Sequence, residues 1–341
     1  MIKGQTIEHP AAWHVDDLGG KDTLAHDLTR AQVDALMRAT EGVSHLDAEQ
    51  IQQQDFDLGA ISADVAGWLE EIRHGKGIVL LRGVPTDQLD VDDCCRLFYG
   101  LGTHLGIAVS QSNMGEKLGH VVNLGGQDRR HRAYQNARRL GMHTDRCDVV
   151  GMLCIRPAED GGLSGYSSAL TIHNEMLLSK PELVAPLYEG FRLHRFGEQK
   201  DDEKLTPMPV PVFSYEDGHY NVVYIRGYID LAIDEGHYAL TELQQAALDY
   251  FDELSLRDDI NFETRLEAGE ATLTNNALLL HRRTAFSDSA DPELRRHLLR
   301  LWLMDETLPA VPAVRMHKSL AGIEKLTGRQ NYYRGPGYAG S

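Results

Sequence analysis

The stretch ATLTNNALLLHRRTAFSDSADPELRRHLLRLWLM, residues 271–304, decides the architecture. Its halves, ATLTNNALLLHRRTAF (271–286) and RRHLLRLWLM (295–304), are apolar runs suited to a pleated, largely buried surface. The turn-forming SDSADPE between them reads as the connection of two strands. Alternation along 295–303 puts Arg296, Leu298 and Arg300 on one face and His297, Leu299 and Leu301 on the other. Two arginines on one face of so apolar a run are costly to bury without an anionic partner.

Working outward, GIVLLRGVP (77–85), CDVVGMLCI (147–155), 164–171 and YNVVYIRGYI (220–229) also read as strands. Apolar residues at helical spacing, Leu28, Val33, Leu36 and Met37, predict a helix over 28–42 that stops at Gly42. Further helices are expected at 61–73, 90–106, 172–191 and 241–257, the last being the best amphipathic pattern in the chain. Residues 107–142 are polar and glycine-rich, a loop with short strands. Many short strands with helices between them predict a mainly β sandwich or barrel carrying helical insertions. No GxGxxG follows a strand, and neither a P-loop nor a GxSxG elbow occurs, so dehydrogenases, nucleotide hydrolases and α/β hydrolases find no support.

Of 341 residues, 34 are Lys or Arg and 51 are Asp or Glu, a formal charge of −17. That balance argues against nucleic-acid binding and against attachment to an anionic membrane. The four cysteines form no CxxC pair, which disfavours structural zinc, and the N-terminus lacks an apolar signal region. The expected location is the cytoplasm, with reduced thiols. A small-molecule partner is expected, and self-association into a homo-oligomer stays open.

His143-Thr144-Asp145 can aim an imidazole and a carboxylate at one point, with Thr144 facing away. A third ligand from a distant strand, His281, would complete the two-His-one-carboxylate set expected of non-haem Fe(II). HxD alone is a weak signal in a chain with 16 histidines. The arginines that follow His281 strengthen it, because a guanidinium fork matches a carboxylate bidentately.

These segments together resemble the taurine dioxygenase/clavaminate synthase-like Fe(II)/2-oxoglutarate oxygenases. The resemblance rests on HTDRCDVVGMLCIRPAEDGGLSGYSSALTIHNEML (143–177), NNALLLHRRTAF (275–286) and RRHLLRLWL (295–303), and runs from about residue 60 to 305. It implies a double-stranded β-helix (jelly-roll) core within a single domain, 1–341. Residues 1–75 would be a largely helical N-terminal part, 76–305 the core with a helical insert at about 172–260, and 306–341 a C-terminal tail. It implies that His143, Asp145 and His281 bind iron and act in catalysis, with 2-oxoglutarate as co-substrate and O2 as oxidant. Arg296, fifteen residues after His281, would pair with the distal carboxylate of 2-oxoglutarate. Ser164 stands where the family often has a Thr that helps hold that carboxylate, and Arg300 would meet the co-substrate or an anionic substrate. Gln111, Tyr134, Gln135, Arg226 and Asn275 are candidate substrate-facing residues, Asn275 because it lies six before His281.

The expected activity is hydroxylation of a small or medium polar metabolite, with desaturation or cyclisation available on the same iron, and release of succinate and CO2. A retained Asp145 disfavours halogenation. Two other readings use the same residues: a metal-dependent hydrolase or isomerase on a jelly-roll scaffold, working through zinc-bound water, and a non-catalytic binding module. A hydrolase has no need of Arg296.

Overall fold

The computed structural model describes residues 4–123, 136–199, 201–319 and 322–326. Strands in chain order are β1 (Ala25–Asp27), β2 (Ile78–Arg82), β3 (Ile107–Ala108), β4 (Leu118–Val122), β5 (Leu140–His143), β6 (Val149–Arg156), β7 (Asp160–Gly161) and β8 (Ser164–Ser168). They continue with β9 (Phe213–Glu216), β10 (His219–Val222), β11 (Asn261–Thr264), β12 (Glu270–Asn275), β13 (Leu279–Arg283), β14 (Phe286–Ser287) and β15 (His297–Met304). The major sheet runs β1-β2-β12-β6-β15-β3, with β4 also on β15; the minor sheet runs β11-β8-β13-β5.

The two sheets form the jelly-roll core, and each has a helical coat. Val79, Leu81, Leu153, Leu273, Leu299, Leu301 and Leu303 turn outward from the major sheet into one cluster with helices Arg30–Gly42, Ser62–His74 and Val91–Gly102. The intervening residues turn inward toward the minor sheet, so Arg296, Leu298 and Arg300 share a face as alternation requires. Helices Ala169–Ser179 and Glu242–Ser255 cover the outside of the minor sheet, packing on Met142 and Leu280. Tyr166 Oη bridges the sheets to Thr272 Oγ1 at 2.9 Å.

Helix starts follow their caps. Thr29 and Thr241 accept hydrogen bonds from the Gln32 and Gln244 amides, so these helices begin at Arg30 and Glu242. Elsewhere the sequence expectations need correction. The strand expected at 164–171 ends at Ser168, whose hydroxyl caps the helix beginning at Ala169. The strand expected over 220–229 stops at Val222 and becomes helix Arg226–Asp234, begun by an Arg226–Asp230 pair one turn apart. The run 271–286 is two strands in different sheets, separated by a turn in which Leu278 N–H donates to the Asn275 carbonyl. The N-terminal part contributes β1, parallel to β2, to the major sheet, and the insert holds the β9–β10 hairpin. No helix among the described residues is long and apolar enough to cross a membrane.

Candidate metal and co-substrate site

β13 lies between β8 and β5, with His281 directly opposite His143 on one side and Tyr166 on the other. The two imidazoles sit with ring centroids 4.3 Å apart. Asp145 Oδ1 is 3.7 Å from His143 Nε2, and Oδ2 is 3.4 Å from His281 Nε2. One candidate ligand atom from each residue lies within 4.8 Å of the others.

His143 ends β5, so Asp145 is not a strand residue; other contacts hold it. Thr144 faces away as expected, donating its N–H to the Tyr224 carbonyl at 2.8 Å and accepting the Tyr224 N–H at 2.9 Å. The Asp145 N–H donates to Asn276 Oδ1 at 2.9 Å, while Asn276 Nδ2 donates to the Asp145 and Cys147 carbonyls at 2.8 and 2.6 Å. Asn276 is thus a buried clamp between the 276–278 turn and the loop carrying Asp145.

Nδ1 of His143 is 2.8 Å from the Gly141 carbonyl. A carbonyl only accepts, so Nδ1 carries the hydrogen and Nε2 keeps its lone pair toward the centre. Burial, then the neighbouring His281, push the His143 pKa down to about 4, so the ring is neutral near pH 7. Burial would raise the Asp145 carboxyl, but Arg300, His281 and His143 outweigh it and hold the group well below the usual carboxylate range. Two imidazoles and one carboxylate on one side suit non-haem Fe(II) and leave other coordination positions open.

The same cleft between the sheets is lined by Ser164, Tyr166, Arg283, Arg296 and Arg300. Arg296 is 3% exposed, and its Nη1 has no hydrogen-bond partner among the described residues. Its guanidinium lies 5.0 Å from the Phe286 ring, whose centroid is 4.8 Å from Arg283. Burial pushes both guanidinium pKa values down to about 10, and Arg283 is further lowered by Arg296. Both remain cationic near neutrality, and a buried cation with an unmet donor suits a carboxylate guest. Arg283 donates Nη2 to the Asn136 and Arg138 carbonyls at 2.7 and 2.6 Å. Gly162, at φ 68°, turns the chain toward Ser164, and a Cβ there would sit 3.4 Å from Arg296 Nε.

Three of the expected substrate-facing residues lie elsewhere. Gln111 is fully buried; its Oε1 accepts Arg300 Nε at 2.7 Å and its Nε2 donates to the Arg300 carbonyl at 2.8 Å. It therefore holds Arg300. Asn275 caps the turn between the sheets, accepting the Ala277 N–H at 2.9 Å and donating to the Ile72 carbonyl at 3.1 Å. Same-face counting to His281 fails because the chain changes sheets between them. Arg226 is engaged by Asp230, Asp249 and Asp252 on the helical coat. Tyr134 and Gln135 lie outside the described residues.

Sequence reading missed Asn276, Trp302, Arg283 and Tyr166. Trp302 stands two after Arg300 and Arg283 two after His281, so the alternation already used would have found both. Nothing local marks Asn276. A second His/Glu/His group, His194, Glu235 and His237, also gathers its ligand atoms. There His194 Nδ1 accepts the Phe196 N–H at 2.9 Å, so the neutral ring must carry its hydrogen on Nε2, which meets Glu235 at 3.2 Å. That ring has no lone pair to give a metal.

Comparison with known proteins agrees with this geometry. FR-33289 synthase of Streptomyces rubellomurinus (strain ATCC 31215) is 32% identical over 272 residues, 75% of this chain and 80% of its own. A uridine-5'-phosphate dioxygenase from Streptomyces sp is 28% identical over 191 residues, 53% of this chain and 66% of its own. Among solved structures, asparagine oxygenase in complex with Fe(II), 3-hydroxyasparagine and succinate superposes with a TM-score of 0.66 at 17% identity, covering 82% of this chain and 93% of its own. The non-haem iron oxygenase OrfP with Fe and α-ketoglutaric acid gives 0.61 at 12% identity, covering 82% and 94%. The profile described as "Taurine catabolism dioxygenase TauD, TfdA family" matches residues 41–302. The chain belongs to the taurine catabolism dioxygenase TauD, TfdA family and is a 2-oxoglutarate-dependent iron dioxygenase.

Proposed function

We propose that His143, Asp145 and His281 hold Fe(II), that Arg296 and Ser164 hold the distal carboxylate of 2-oxoglutarate, and that the protein hydroxylates a small cytoplasmic metabolite bearing an acidic group. The observation that carries the reading is the buried Arg296, whose Nη1 is unmet among the described residues, in the cleft that His143 and His281 also line. When bound, iron with 2-oxoglutarate and O2 supplies the oxidising equivalent for C–H hydroxylation, with succinate and CO2 as by-products.

The chain's own residues orient and exclude water. Arg296 presents a planar fork held in place by the Phe286 ring and by its backbone bond to Asp288. Val121, Val150 and Met152 wall the cleft with apolar surface, which strengthens the charged contacts inside it. His143 and Asp145 are already in the protonation states of ligands at neutral pH.

The acidic substrate follows from charge. Arg283, Arg296 and Arg300 all line the cleft, and Arg296 is nearly fully buried there. A cleft walled by three guanidinium groups favours an anionic guest over a neutral one. The relative named uridine-5'-phosphate dioxygenase, whose named substrate bears a phosphate, supports this choice. The test is succinate release under O2 across a panel of phosphorylated, phosphonate, sulfonate and carboxylate metabolites with neutral counterparts. Acidic compounds should stimulate release and gain one oxygen atom by mass spectrometry. Equal stimulation by neutral counterparts would overturn the substrate class, and succinate formation supported equally by zinc would overturn the iron assignment.

A further inference from the structure

Asp145 is the one ligand that no strand holds, and the contacts to its two oxygens are unequal. Trp302 Nε1 donates to Oδ2 at 2.7 Å, and Arg300 Nη1 lies 3.6 Å from the same oxygen. Oδ1 faces His143 Nε2 at 3.7 Å and accepts no hydrogen bond among the described residues, while Oδ2 also lies 3.4 Å from His281 Nε2. Trp302 is 3% exposed, and the Arg300 guanidinium lies 4.8 Å from its ring centroid. Arg300 is itself gripped by Gln111 through two hydrogen bonds. The indole and guanidinium project from one face of β15, two residues apart, onto a loop whose backbone Asn276 fixes separately.

From this unequal environment, and resting on the iron-site reading above, we infer that Trp302 is a positioning residue that makes Asp145 a one-oxygen ligand. An indole N–H can only donate, so it anchors Oδ2 without offering the metal a competing ligand. An N–H bond to a carboxylate is charge-assisted and strong in a buried site. With one Oδ2 lone pair so engaged and Arg300 beside it, Oδ1 is the oxygen that keeps both of its lone pairs. A two-oxygen carboxylate would take a coordination position needed by 2-oxoglutarate or O2. Partners that orient a metal's ligands typically contribute about ten- to hundredfold in metal affinity or activity.

Two changes at position 302 test this: Trp302→Phe, which keeps an aromatic ring, and β-(3-benzothienyl)alanine, which keeps the bicyclic shape but replaces the N–H by sulfur. Co(II) is titrated anaerobically into each apo-protein, followed by its visible absorption and by indole fluorescence. Thermal unfolding of the metal-free proteins and 2-oxoglutarate affinity at saturating Co(II) are measured in parallel. Wild type should bind Co(II) with a change in Trp302 fluorescence. Both variants should bind it about tenfold or more weakly, with apo melting and 2-oxoglutarate affinity close to wild type for the isosteric analogue. Wild-type Co(II) affinity in the analogue overturns the inference and leaves the iron-site reading intact. Loss of metal affinity accompanied by an equal fall in apo stability also overturns it, since the ring would then act by packing. Failure of wild type itself to bind Co(II) overturns the iron-site reading beneath it.

Discussion

Replacing Arg296 with Met should make the metal-free protein more stable while removing its affinity for 2-oxoglutarate. The side chain is 3% exposed, and burial lowers its pKa to about 10. Holding it charged at that depression costs the folded state about 3 kcal/mol. Removal also relieves Arg283, which Arg296 lowers in turn. Met lines the Phe286 ring without a charge, and imperfect packing offsets part of the gain, so apo stability should rise by roughly 1–2 kcal/mol. Binding moves the other way. Loss of charge-assisted hydrogen bonds worth about 1.5–3 kcal/mol or more raises the 2-oxoglutarate Kd by at least ten- to hundredfold. Arg296→Lys, which keeps the charge but loses the fork, should fall between. The assay is denaturant unfolding of apo-protein and anaerobic calorimetry of 2-oxoglutarate into Mn(II)-loaded protein. An Arg296→Met variant that is less stable than wild type and still binds 2-oxoglutarate normally would refute the reasoning, because the arginine would then be a structural cation.

Ala at His143, Asp145 or His281 should each remove most Fe(II) affinity and turnover, read by metal analysis after gel filtration; wild-type turnover in His281→Ala would end the ligand assignment. Gln111→Ala should loosen the hold on Arg300 and raise the 2-oxoglutarate or substrate KM about threefold to thirtyfold, since one buried charged hydrogen bond is lost while the gross fold persists; unchanged kinetics would show that Arg300 does not need Gln111. Arg226→Ala should leave 2-oxoglutarate and metal affinity unchanged in the same titrations, because its partners are Asp230, Asp249 and Asp252. Acid should destabilise the apo-protein: His143 and His297 are depressed to about 4, so the stability of their neutral forms is present above the ordinary histidine range and is lost as pH falls from about 6.5 toward 4. His297→Asn should flatten that pH dependence in unfolding experiments, and an unchanged slope would exclude His297 as a contributor.

The alternation along 295–304 was legible because a strand's period is two and its information is local; Leu299, Leu301 and Leu303 meet helices while Arg300 lines the cleft and Trp302 reaches Asp145. The proposed metal ligands were legible only jointly, because HxD is weak alone in a chain with 16 histidines and gains weight from the later His281 and Arg296. What held Asp145 was not legible, since Asn276 lies 131 residues away and Trp302 157. Residues 220–229 misled for a related reason. Their β-branched and aromatic composition suits a strand, yet the Tyr224 backbone bonds to Thr144 and helix Arg226–Asp234 follows. The run 271–286 shows why the lost information matters. As one continuous strand it would keep His281 in the major sheet beside β2 and β6, the partners of β12. Only a change of sheet after Asn275 puts His281 opposite His143. Asn275 fixes that turn, and the next residue, Asn276, fixes the loop carrying Asp145. The turn that sequence reading passed over as part of a strand is where the fold brings the proposed ligand set together, so substitutions at Asn276 should move metal affinity although its side chain reaches only backbone.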